Sequence, residues 1–185
     1  MKHRKPRPHK HKKKRKWKLS GIVSVILGVV GAVGVIELRP QITVSPQDPI
    51  EKTQPFSVPF RIENAGYFSF RLERAFCYYG EVRVGNIQVN EGLSHSLEWN
   101  HHTLDRSEGE TILCNLVHYP AVPSAADIAV VVDYKPFRFF PWPFRTYRRF
   151  VGAFIDNWQW TPQASETIQD SADRAIAEHL KRHPG

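Results

Sequence analysis

Residues Leu19 to Ile36 read LSGIVSVILGVVGAVGVI, eighteen positions without a charge, and the eighteen before them carry eleven Lys or Arg and no acid. An uncharged run of that length is just sufficient to cross a hydrocarbon core of about 30 Å. Its apolar residues occupy every helical face, which excludes an amphipathic surface helix. Gly21, Gly28, Gly31 and Gly34 are at home in a membrane helix, and Trp17 sits where an indole favours the interface. Basic flanks stay cytoplasmic, so residues 37–185 are expected on the exported side. A cleaved signal peptide is the competing reading, with Ala32 and Gly34 as a small-x-small site. The apolar run and the basic region are both longer than such a peptide needs, which favours an uncleaved signal anchor. The spacing Gly28 to Ala32 also permits close helix–helix approach.

Charge is partitioned by this run. The chain carries 26 Lys+Arg and 18 Asp+Glu. The tail takes eleven of the basic residues, leaving 15 against all 18 acids in 37–185, a net of −3. A nucleic-acid-coating folded domain is thereby excluded; the basicity belongs to a tail. Taken alone, HRKPRPHKHKKKRK would pass as a nuclear-localisation or nucleic-acid patch. With a span beginning at the next residue, membrane topology and contact with anionic lipid are the favoured roles for Lys12, Lys13, Lys14, Arg15, Lys16 and Lys18. The prolines and like charges of residues 1–18 predict a disordered cytoplasmic tail.

From residue 41 the pattern changes to short β-rich runs between turn signals. QITVS alternates, and FSVPFRIE places Phe56, Val58, Phe60 and Ile62 on one face, with Pro59 opposite as the mark of an edge strand or a bulge. FSFRLERAFCYY, EVRVGNIQV, ETILCNLVHY and IAVVVDY follow, and TYRRFVGAFI with WQWT reads as a last hairpin. Seven or more short strands over residues 41–161 predict an all-β, immunoglobulin-like antiparallel β-sandwich, preceded by one transmembrane helix over 19–38. Cys77 and Cys114 each lie in an expected strand on the oxidising side, where two thiols are expected to pair. Two free buried thiols are the alternative.

Residues 162–185 return to a helical pattern. Thr161 can cap, Pro162 suits the first helical position, and Ala164, Ile168, Ala172, Ala175, Ile176 and Leu180 form one narrow stripe. A stripe made mostly of alanine leaves the short C-terminal helix either docked on the sandwich or frayed in solvent.

The anchor, PFSVPFRIENAGYFSF, the cysteine in GETILCNLV and the closing FVGAFIDNWQW together resemble uncharacterised bacterial signal-anchored envelope proteins with an immunoglobulin- or fibronectin-III-like extracytoplasmic domain. The resemblance covers about residues 20–160 as architecture and implies a fold and an address, not an activity. The chain departs from the immunoglobulin pattern at Trp99, which lies between the cysteines but in the polar run HSLEWNHH.

Few residues carry candidate chemistry. His95, His101 and His102, with His118 further on, are the metal-like cluster, read first as a solvated loop and only then as a zinc or copper site. Asp105, Glu108 and Glu110 fit no calcium loop and are read as a turn. No GxSxG, HExxH, P-loop or dinucleotide fingerprint occurs, so neither an enzyme nor a cofactor is expected. The most unusual stretch, Lys135–Trp160, holds ten aromatics in 26 residues. Its proline-broken part offers Phe137, Arg138, Phe139, Phe140, Trp142, Phe144 and Arg145 as a binding platform for a protein, a glycan or a membrane interface. The plainer reading is a connection that crosses between sheets and plugs one end of the sandwich. These features predict a non-enzymatic membrane protein whose exported domain contacts an envelope protein or itself. Metal handling by the histidines, or nucleic-acid or anionic-lipid binding by the tail, are the alternatives.

Overall fold

The computed structural model describes residues 40–48, 50, 58–89, 92–114, 123–136, 140–154 and 158–183. These all fall within one compact unit, Arg39–Gly185. The basic tail with Lys12, Lys13, Lys14, Arg15, Lys16 and Lys18 and the apolar run 19–36 lie outside the described residues, as do Phe137, Arg138, Phe139 and His118. Among the described residues no helix is long and apolar enough to cross a membrane.

Nine strands and one helix are described: β1 Ile42–Pro46, β2 Pro59–Asn64, β3 Phe70–Val84, β4 Ile87–Val89, β5 Gly92–Leu104, β6 Gly109–Leu113, β7 Ala125–Lys135, β8 Phe144–Phe154, β9 Trp158–Gln163 and α1 Glu166–Arg182. Every pairing is antiparallel. One sheet has the order β1-β2-β6 and the other β4-β3-β7-β8-β9, with β5 also on β3. Alternation explains the smaller sheet: Ile42, Val44, Phe60, Ile62 and Ile112 point inward, and their neighbours are exposed or half-buried. They pack on Leu72, Ala75, Cys77, Tyr79, Ile128, Val130, Val132 and Phe150 of the larger sheet, forming the core of an antiparallel β-sandwich. The Cys77–Cys114 disulfide crosses this core, with Cα atoms 5.6 Å apart and both residues fully buried.

β3 and β7 do not alternate; AFCYY and IAVVV are buried at every position. The reason is α1. It lies on the outer face of the larger sheet, where Ile168, Ala172 and Ile176 pack against Phe76, Tyr78, Ala129 and Val131. The C-terminal helix is therefore docked, not frayed. Burying the two isoleucines stabilises that contact by about 1.5–3 kcal/mol each.

Four boundaries differ from the sequence reading, each for a physical reason. Pro59 is the first residue of a central strand, not an edge: at the strand start its missing N–H breaks little of the ladder. β3 continues through Gly80 to Val84 as one strand, with a register shift against β7 between Tyr79 and Val82, and the chain turns at Gly85-Asn86, where Gly85 adopts φ +58° in a two-residue hairpin. The histidine stretch is strand β5, not a loop, because the exposed ladder of β3 captures its backbone. The helix starts at Glu166 with Ser165 at its N-cap, since β8 draws residues up to Gln163 into β9 and pairs Pro162 with Phe150.

Candidate functional site

Three connections leave the same end of the sandwich. Residues 65–69 join β2 to β3, 105–108 join β5 to β6, and 136–143 join β7 to β8. The registers Phe70 opposite Leu104, Arg71 opposite Lys135 and Tyr134 opposite Phe144 align those strand ends. Asn64, fully buried, ties two of the connections together. Its amide nitrogen donates to Phe68 O at 2.9 Å and Leu104 O at 3.0 Å, and its Oδ1 accepts from the Gly66 N–H at 3.0 Å. Its own N–H donates to Glu108 O at 3.0 Å, and its carbonyl accepts from the Ser107 N–H at 2.9 Å. A buried amide with its groups satisfied in this way holds two loops in one geometry.

What these loops present is aromatic. Tyr67 is 72% exposed, Phe68 42%, Trp142 71% and Phe144 45%. The Arg106 guanidinium stacks over the Tyr67 ring, 4.7 Å from its centroid. A chain of ring contacts leads from the core outward: Phe70 to Tyr134 at 5.6 Å, Tyr134 to Phe144 at 6.0 Å, Phe144 to Phe140 at 5.2 Å and Phe140 to Trp142 at 6.5 Å. The base of this platform is rigid, because Phe70 is buried in the core.

Of the platform residues expected from sequence, Phe140, Trp142 and Phe144 stand together at this end. The 136–143 connection does not cross between sheets; it joins neighbouring strands of the larger one. Arg145 does not belong to the platform. Its Nε and Nη2 donate to the two carboxylate oxygens of buried Asp133 at 2.6 and 2.8 Å, and its Nη1 donates to Asp173 of α1 at 2.7 Å. Those carboxylates raise its pKa further above the usual guanidinium value. The Tyr147 hydroxyl also donates to Asp173, at 2.6 Å, and burial followed by that bond pushes its pKa up to about 12. Arg149 donates to Asp127 and to Thr167 Oγ1 at 2.9 Å, and the Asp127 carboxylate raises its pKa. These groups latch the helix to the sheet. Tyr67, Phe68 and Arg106 are the platform members that the sequence reading missed. Both aromatics precede β3, which starts at Phe70, whereas the sequence reading began that strand at Phe68.

Backbone register separates two of the histidines. His95 pairs opposite Cys77 and His102 opposite Leu72, so they sit about 20 Å apart along β5 at a strand's rise per residue. The side chains of His95 and His101 lie outside the described part; His102 Nε2 meets Glu110 Oε1 at 2.9 Å. Among the described residues no three metal-ligating side chains gather. Asp105 and Glu108 form a turn, with Glu108 Oε2 accepting from the Asp105 N–H at 3.0 Å. Trp99, in the polar run, packs partly buried against the sandwich core. No protein-family model matches this chain, and no curated protein matches it.

Proposed function

We propose that this chain is a non-enzymatic, single-pass membrane protein whose exported β-sandwich serves as an interaction or structural module. The observation that carries the reading is the buried Cys77–Cys114 disulfide, a bond that persists in oxidising compartments and is rare in the cytosol. It lies in the part of the chain that the basic tail and the apolar run Leu19–Ile36 would place outside. The strand order favours an immunoglobulin-like path: β1-β2-β6 facing β3-β7-β8 follows the A-B-E and C-F-G arrangement of that fold. The bridge departs from it, because it joins β3 to the residue after β6 instead of linking strands B and F, which correspond to β2 and β7.

Thiol labelling of the full chain in its membrane fraction tests this reading. Cys77 and Cys114 are expected to react only after reduction, in a chain that resists alkaline extraction. Free labelling of both thiols in a soluble chain would overturn the address. Absence of any crosslinked partner or self-association in intact membranes would overturn protein interaction and leave the structural role.

A further inference from the structure

The end of the sandwich that carries the exposed rings is also the end where the chain enters. β1 begins at Ile42 opposite Asn64, and the Ala65 N–H donates to the Gln41 carbonyl at 2.8 Å. Tyr67 and Phe68 follow in the same loop, and Trp142 and Phe144 leave the same end of the neighbouring sheet. Exposed aromatic side chains therefore share the end at which the chain enters.

Chain length limits where that end can go; this step rests on the anchor reading above. Five residues, 37–41, separate Ile36 from the first strand, and five extended residues reach about 17 Å at most. The headgroup layer is itself about 5–8 Å deep on each side of the hydrocarbon. On that reading the entry end stays within about 17 Å of the hydrocarbon, whereas the Gly85-Asn86 turn lies roughly 45 Å from that end along β3 at a strand's rise per residue. Trp and Tyr rings favour that interface, and a short tether makes even weak partition effective.

We propose that Tyr67, Phe68, Trp142 and Phe144 insert into the headgroup region of a phospholipid bilayer on the exported side, standing the domain upright on its own membrane. Among the described residues of these loops, Arg106 lies in sequence between the exposed acids Asp105 and Glu108, so they carry no cationic excess. Their partition is driven by rings, works on zwitterionic lipid and varies little with salt.

The test uses the full chain in phosphatidylcholine vesicles, with a benzophenone side chain placed at position 67, 142 or, as control, at exposed Ile87 beside the far turn. Lipid adducts are expected severalfold higher at 67 and 142 than at 87, at low and raised salt alike. In a second measurement, Trp142→Phe is expected to reduce the part of tryptophan emission quenched by brominated lipid. A chain that resists alkaline extraction yet gives equal adducts at all three positions, or unchanged quenching, overturns the proposal and leaves the anchor standing. Protein adducts in place of lipid at 67 and 142 in native membranes overturn it as well. Release by alkaline extraction removes the anchor itself, and the proposal with it.

Discussion

Arg145 and Asp133 face each other across β8 and β7 in a two-pronged ion pair, with Asp133 almost wholly buried and Arg145 roughly a quarter exposed. The same guanidinium reaches Asp173 on α1, so one side chain joins two strands and a helix.

Removing the cation leaves a buried carboxylate with a poorer partner. Arg145→Ala is expected to lower stability by about 3 kcal/mol, the lower end for breaking a buried pair. Arg74 Nη2, 3.6 Å from Asp133, supplies partial compensation. Arg145→Lys retains charge but not the fork geometry and falls between. The urea midpoint of the detergent-solubilised chain measures both; equal loss in the two variants would show that only the fork matters.

Helix docking depends on Ile176, fully buried between α1 and the sheet. Ile176→Ala is expected to cost about 2–5 kcal/mol. Amide exchange should quicken first in residues 166–182 while β3 and β7 stay protected. Uniform loss of protection would mean that the helix and the sandwich unfold as one unit.

The disulfide closes a loop with a sequence separation of 37. By chain entropy it stabilises the fold by about 4 kcal/mol. Cys77→Ser is expected to lower Tm under oxidising conditions and to match the wild type once reductant is added. A further gap in reductant would assign the loss to packing.

High pH should act through Tyr147. Its pKa is raised from 10.0 to about 12 in the folded chain, by burial and then by its bond to Asp173. The unfolded chain releases that proton first as pH rises. The stabilisation is therefore complete below pH 10 and lost as pH climbs from about 10 through 12. The Tm advantage of wild type over Tyr147→Phe should narrow across that window; a constant difference would sink the assignment.

Asn64→Ala is expected to loosen the aromatic tip. The substitution leaves Phe68 O, Leu104 O and the Gly66 N–H without their partner, each a cost of about 1–3 kcal/mol where buried. Amide exchange should accelerate in residues 65–69 and 105–108 more than in β7.

Local pattern alone determined the all-β character, the inward faces of β1 and β2, the likeness of Cys77 and Cys114 to a bridged pair, and the apolar stripe Ile168, Ala172, Ile176. Each depends on near neighbours or on a two-residue or helical period. The tertiary structure decided what those elements meet. Leu93 packs toward α1, whereas Leu97 and Trp99 pack into the sandwich, because the register slips between Cys77 and Tyr78 and turns β5 over. Arg145 reads as a platform residue in the sequence, but pairing of β7 with β8 brings Asp133, twelve positions back along the chain, beside it, and α1 brings Asp173. The unbroken runs AFCYY and IAVVV already recorded that both faces of their sheet are covered. What covers them, and which loops share an end, depends on pairings between distant residues, such as Phe70 with Leu104 and Arg71 with Lys135, that no local period encodes.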